Sequence, residues 1–166
     1  MPERLFNALF ICTGNSARSL MAEVILDEVG GGRFKAYSAG SHPRGEVHPM
    51  TLQVLSEQGY DVSPLRSKGW DEFAGPQAPR MDFVITVCDQ AAGETCPAWP
   101  GQPVTAHWGF ADPVAVQGTA EQKLRAFRNT QTEIIRRIRL LCSLPIDQLD
   151  RLSLQHELTR LGRAAD

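Results

Sequence analysis

Leu5-Phe6-Asn7-Ala8-Leu9-Phe10-Ile11 runs directly into Cys12-Thr13-Gly14-Asn15-Ser16-Ala17-Arg18-Ser19, and an apolar-periodic segment from Leu20 to Val29 follows. Residues 5–11 form a short apolar run, as expected of a strand covered on both faces in a parallel sheet. Met21, Val24, Ile25 and Val29 recur at helical spacing and Gly30-Gly31-Gly32 ends them, which predicts a helix beginning at Arg18 or Ser19. A cysteine leaving a buried strand, five intervening residues and an arginine entering a helix give the Cys-x5-Arg form of an oxyanion-binding loop. A Walker-type nucleotide loop is excluded, since no Gly-Lys-Ser/Thr follows.

Outward from that loop, strands and helices alternate. Phe34 to Ser38 reads as a second strand, stopped by Ala39-Gly40 and a polar loop. Pro49 suits the first turn of a helix that carries Met50, Val54 and Leu55 inward and ends near Gly59. Trp70 to Phe73 predicts a short helix, Met81 to Val87 a buried strand ending at Cys88, and Val104 to His107 a fourth strand. Thr119 to Gln122 has capping-box spacing, and Leu124, Phe127, Ile134, Ile135, Ile138 and Leu141 then mark one face of a long helix. Leucines 149, 152, 154, 158 and 161 suggest a last amphipathic helix ending near Gly162. The alternation predicts an α/β fold of flavodoxin-like type, a three-layer sandwich whose four-stranded parallel sheet has order 2-1-3-4 with helices on both faces, plus a C-terminal helical extension. Ligands of such sheets bind beyond the carboxyl ends of the strands where the order reverses, which is where the Cys12 loop lies. In that order strand three borders strand one, so Cys88 becomes a neighbour of Cys12.

The 166 residues suffice for one domain with a substantial core. A formal charge of -2 and 22% charged residues show no basic excess, which argues against nucleic acid or an anionic membrane as partner. The N-terminal apolar run lacks the length and cleavage site of a signal peptide, and no run reaches membrane-spanning length. The four cysteines, Cys12, Cys88, Cys96 and Cys142, are then expected to be reduced thiols of a cytoplasmic protein.

The chemistry centres on Cys12. A thiol near a helix N-terminus faces the positive end of the dipole and several inward amides, which favour its thiolate and bind a tetrahedral oxyanion. Thr13, Gly14, Asn15, Ser16, Ala17, Arg18 and Ser19 are the candidate substrate-binding residues. Arg18 offers a planar fork matched to two oxygens, and Ser19 can reach back to the sulfur. Asp112, directed by Pro113, could be a general acid or simply part of a turn. Residues 88–102 read as a mobile loop, and joining Cys88 to Cys96 would require that loop to fold back, since bridged Cα atoms lie within about 7 Å; a buried Cys88 and an incidental Cys96 are the alternative. Zinc ligation lacks the spacing, so no metal or cofactor is expected. Cys142 is read as core, His48, His107 and His156 as structural or exposed, and Trp70, Trp99 and Trp108 as loop anchors.

Over roughly residues 5–142 the chain resembles the arsenate reductases built on the low-molecular-weight tyrosine phosphatase fold. The resemblance rests on Cys12 to Ser19, Tyr37-Ser38-Ala39-Gly40, the Val87-Cys88 loop closing on Cys96-Pro97, and His107-Trp108-Gly109-Phe110-Ala111-Asp112-Pro113. It implies a phosphatase-like domain over 1–142; residues 143–166, a helical extension of the same domain, lie beyond the family's usual end and are expected to serve dimerisation. It also implies a catalytic set of Cys12, Arg18, Cys88, Cys96 and Asp112. Cys12 would attack arsenate, Cys88 would attack Cys12 and release arsenite, and Cys96 would take over the disulfide for reduction by thioredoxin, or by glutaredoxin or a small thiol. Phosphate or sulfate would bind as analogues. Some relatives hold potassium beside the loop, with Asn15, Glu23 and Ser38 matching its ligands; Lys68 falls where a further carboxylate would be, so its ammonium is expected to replace the ion. The other branch of the resemblance, a phosphotyrosine phosphatase, would not need Cys88 and Cys96, and its Asp-Pro is normally followed by aromatic residues rather than Val114 and Ala115.

Overall fold

The computed structural model describes residues 5–88 and 102–163. Residues 1–4, 89–101 and 164–166, and with them the expectations for Cys96, Trp99 and the loop around them, lie outside the described residues. Strands β1 (Phe6–Cys12), β2 (Phe34–Gly40), β3 (Phe83–Thr86) and β4 (Val104–His107) form one parallel sheet in the order β2-β1-β3-β4. The helices are α1 (Arg18–Val29), α2 (Pro49–Glu57), α3 (Ala120–Cys142) and α4 (Arg151–Arg163). Architecture and strand order are those expected.

β1 is central because it is apolar on both faces: Ala8, Leu9, Phe10 and Ile11 are all 0% exposed. It runs one residue further than expected, so Cys12 is its last residue and pairs with Gly40. β3 is shorter than the apolar run that announced it, but Val87 N still donates to Ile11 O at 2.8 Å, which brings the chain at Cys88 level with Cys12. α1 is buried almost all round, from Leu20 to Leu26, as a helix packed against both the sheet and α3 must be.

α2 starts at Pro49, and the His48 ring caps it by accepting from Met50 N. Thr51, Val54 and Leu55 are buried, while Met50 is only half-buried. α3 begins with the expected capping box: Gln122 N donates to Thr119 Oγ1 at 3.1 Å and Thr119 N to Gln122 Oε1 at 2.8 Å. Its buried side carries Phe127, Ile134, Ile138 and Leu141, but also the polar Thr130, Gln131 and Arg137. Cys142 is half-buried, not core, because it is the last residue of α3, where the Arg33 side chain approaches to bind its carbonyl.

After Pro145 the chain returns to the sheet. Leu154, Leu158 and Leu161 of α4 are buried, Leu149 is half-buried, and Leu152 is 79% exposed, so the leucine repeat does not form a single face. Helical phase decides this: 154, 158 and 161 are spaced by four and three, whereas 152 falls on the outer side. α4 packs on β4, an edge strand, and Gln155 satisfies the open backbone there, accepting from Thr105 N and donating to Thr105 O. Trp108, expected as a loop anchor, is fully buried, and its indole Nε1 donates to Leu158 O at 3.0 Å. Among the described residues no helix is long and apolar enough to cross a membrane.

Candidate active site

The loop after β1 is shaped by donors outside it. Ser41 N donates to Cys12 O (3.2 Å), His42 N to Thr13 O (2.9 Å), Arg44 N to Gly14 O (2.9 Å) and His48 N to Ser16 O (3.0 Å). The hydroxyls of Ser67 and Thr51 add bonds to Gly14 O and Ser16 O. In a planar trans peptide the next residue's N–H points opposite to the carbonyl, so carbonyls held outward aim the amides of Thr13, Gly14, Asn15 and Ala17 inward. Asn15 N accordingly lies 3.2 Å from Cys12 Sγ. Asn15 has φ 45°, a left-handed conformation that asparagine tolerates better than most residues. Gly40 lets the loop approach β2: a Cβ there would lie 2.5 Å from Thr13 O.

Beneath the loop runs a buried set of hydrogen bonds whose directions are fixed by its members. Asn15 Nδ2 donates to Ser19 Oγ (2.7 Å) and Ser38 Oγ (3.1 Å). Ser19 can then turn its own proton to Cys12 Sγ, 2.9 Å away. Ser38 in turn donates to Glu23 Oε1 at 2.6 Å. Lys68 Nζ stands 3.2 Å from Ser38 Oγ, 3.0 Å from Arg66 O and 3.4 Å from Glu23 Oε1, and Lys68 N donates to Asn15 Oδ1 at 2.9 Å. Burial pushes the Lys68 ammonium down from its ordinary pKa, and Glu23 opposes that shift. Potassium does not fit these residues: the Lys68 ammonium already lies among the oxygens of Glu23, Ser38 and Arg66, and two cations would repel there.

A cavity of about 150 Å³ opens above the sulfur, walled by loop residues including Cys12, Gly14 and Arg18 and rimmed by His42, Arg44, Asp112 and Val114. Cys12 is 3% exposed at its base. Arg18 Nη1 donates to Phe110 O at 3.0 Å, and Nη2 lies 3.5 Å from Asp112 Oδ2. Asp112 is fixed by Val114 N, which donates to its Oδ1 at 3.0 Å. Cys88 is buried too; its Sγ lies 3.5 Å from Thr13 Oγ1, reaching the loop from the β3 side rather than from the cavity wall. Both thiols are free.

His42 and Arg44 were not foreseen. Their signal was topological: β2 borders β1, so the polar loop after β2 must lie beside the loop after β1. Cys142 and the remaining histidines stand apart from the cavity. A larger hollow of about 580 Å³ at the amino ends of β1, β3 and β4 contains no cysteine, so the chemistry belongs to the smaller one.

A thiol at the base of an inward amide cradle, with an arginine opening the following helix and a carboxylate across the cavity, defines the cysteine phosphatase class of oxyanion loop. Residues 7–154 match the low molecular weight phosphotyrosine protein phosphatase family, and the chain belongs to that family, in its arsenate reductase branch. It is 40% identical over 130 residues to an arsenate reductase of Halalkalibacterium halodurans, covering 78% of this chain and 90% of that one. The arsenate reductase of Bacillus subtilis is 38% identical over the same length, with the same coverage. Among solved structures, an arsenate reductase in the phosphate binding state superposes with a TM-score of 0.67 at 28% identity, over 83% of this chain and 97% of the other. A thioredoxin-dependent arsenate reductase from Corynebacterium glutamicum gives 0.55 at 26% identity, over 85% and 65%.

Proposed function

We propose that this chain reduces arsenate to arsenite through a relay of Cys12, Cys88 and Cys96. The observation that carries the reading is the second buried thiol: Cys88 Sγ lies 3.5 Å from the Thr13 hydroxyl, one residue beyond the nucleophile. A phosphatase has no use for it.

In this reading the inward amides and Arg18 hold arsenate over Cys12. The thiolate forms a sulfur–arsenic(V) bond while one arsenate oxygen leaves as water, protonated by Asp112. Cys88, as thiolate, attacks Cys12 Sγ; the sulfur–arsenic bond breaks, its electron pair stays with arsenic, and arsenite(III) departs from a Cys12–Cys88 disulfide. Cys96 then attacks Cys88, freeing the Cys12 thiolate and leaving Cys88–Cys96 for thioredoxin or another dithiol to reduce. The two electrons gained by arsenic are those lost by the thiol pair. Such a cycle needs a reducing compartment, which supports a cytoplasmic location.

Arsenate-dependent oxidation of NADPH through thioredoxin and its reductase, run beside aryl phosphate hydrolysis, tests the proposal. Turnover should vanish in Cys88→Ser while any phosphatase activity survives. Persistence of arsenate turnover in that variant would overturn the relay, and loss of thioredoxin-driven turnover alone in Cys96→Ser would separate the full relay from one completed by a small thiol. Val114, rather than an aromatic residue, at the cavity rim also favours a free oxyanion over a phosphotyrosine ring.

A further inference from the structure

Arg137 is 2% exposed on the inner side of α3 and takes no part in the chemistry above. Its one described hydrogen bond is long, Nη1 to Gly162 O at 3.5 Å. Taking a guanidinium out of water for so little is unfavourable, and an apolar side chain of similar size would fill the space without that cost. Beside the charge of Glu133 one turn away, the guanidinium meets Phe110: its carbon lies 5.1 Å above the ring centroid, within cation–π range.

Phe110 is where three parts of the site meet. Its N donates to Val87 O at 3.3 Å, next to Cys88, and its O accepts from Arg18 Nη1 at 3.0 Å. One residue on, Ala111 O is held by Thr130 Oγ1 at 3.3 Å, and Asp112 follows. We propose that Arg137 is a positioning residue of the oxyanion site: it fixes Phe110 so that the Phe110 carbonyl holds Arg18 in the cavity, and α4 supports Arg137 from behind.

α4 is built against this segment. Gly162 has no room for a side chain, since a Cβ would lie 2.2 Å from His107 O and 3.1 Å from the Trp108 ring. That close approach brings the Gly162 carbonyl to Arg137, while Trp108 Nε1 is held by Leu158 O. The segment from His107 to Asp112 is therefore clamped between α3 and α4. On this proposal the helix that the sequence offers for dimerisation serves the oxyanion site of its own chain.

The inference rests on the oxyanion role of the Cys12 loop and does not require arsenate to be the substrate. The test therefore reads binding of inorganic phosphate, as the concentration that protects Cys12 of the full reduced chain from alkylation by iodoacetamide. Arg137→Met should raise the phosphate concentration for half protection about fivefold or more, and Phe110→Leu should do the same with its backbone carbonyl intact. Arg137→Lys, which keeps a cation over the ring, should recover to within about twofold of the parent. Ile138→Val is the packing control and should lower the melting temperature without changing phosphate protection. The proposal is overturned if Arg137→Met only melts earlier and binds phosphate like the parent. Should Arg137→Met fail to fold, Phe110→Leu decides, and unchanged protection there overturns the proposal equally. Absent arsenate turnover in the parent would remove the proposed function and leave this readout intact.

Discussion

The Lys68 ammonium lies 3.4 Å from Glu23 Oε1, and through Ser38, Asn15 and Ser19 this buried ion pair is joined to the sulfur of Cys12. The two side chains are only 7% and 12% exposed. Lys68→Met should leave Glu23 as an uncompensated buried carboxylate and cost about 3–5 kcal/mol of stability, whereas Lys68→Met with Glu23→Gln should recover much of it. Chemical denaturation of the four proteins of this cycle checks it; strictly additive losses would mean that the pair is not coupled.

Ser19 sets the other end of the chain. Because Asn15 Nδ2 already donates to its oxygen, its proton is available to the sulfur 2.9 Å away. Ser19→Ala should slow alkylation of Cys12 at neutral pH by about three- to tenfold while Cys88 reacts as before. Equal rates for Cys12 in both proteins would remove Ser19 from the activation of the thiol.

Asp112 faces the cavity beside Arg18. In the mechanism proposed above Asp112 is the acid for the departing oxygen, so on that proposal Asp112→Asn should lower kcat by about 10²-fold or more with a much smaller change in KM. Single-turnover formation of arsenite reads this directly, and a change confined to KM would assign Asp112 to binding.

Arg44 is exposed at the cavity rim, its amide tied to Gly14 O. A second guanidinium above the loop should draw a multiply charged anion inward. Arg44→Gln should raise KM for arsenate by about two- to fivefold at low salt with kcat unchanged, and the difference should shrink as ionic strength rises. A salt-independent effect would point to altered loop geometry instead.

His48 links α2 to the loop by accepting from Met50 N while its own amide donates to Ser16 O. Burial holds its pKa below the ordinary 6.5, helped by Arg44 and Lys123 and opposed by Glu46. The unfolded chain therefore takes up a proton near 6.5 that the folded chain refuses, so stability should fall as pH drops below that value. His48→Asn keeps a capping side chain without the titration and should flatten this part of the profile. Thermal melts between about pH 5 and 7 follow it, and parallel profiles would exclude His48 as the cause.

β1, the loop and α1 were legible because their evidence is contiguous: a run of apolar residues, a cysteine and an arginine at fixed spacing, and a helical period. The capping box of Thr119 and Gln122 was legible for the same reason. What escaped was long-range. Nothing local distinguishes Arg44 from any other charged loop residue. Thr130, Gln131 and Arg137 share the inner face of α3 with Phe127, Ile134, Ile138 and Leu141, and only their polarity argued against burial there. Gln131 Nε2 donates to Val54 O, 77 residues away, and no spacing rule anticipates such a partner. Leu152 erred in the opposite sense, since the apolar face of α4 depends on how the helix lies against β4.

The carbonyls of Cys12, Thr13, Gly14 and Ser16 are each held by donors between residues 41 and 51, with Ser67 adding one more. The anion cradle is thus an impression of a neighbouring segment, with little shape of its own. Opening that segment would release the inward amides together, with the sheet intact. In hydrogen exchange, residues 13–18 and 41–51 should behave as one cooperative unit, slowed as a block when phosphate is bound.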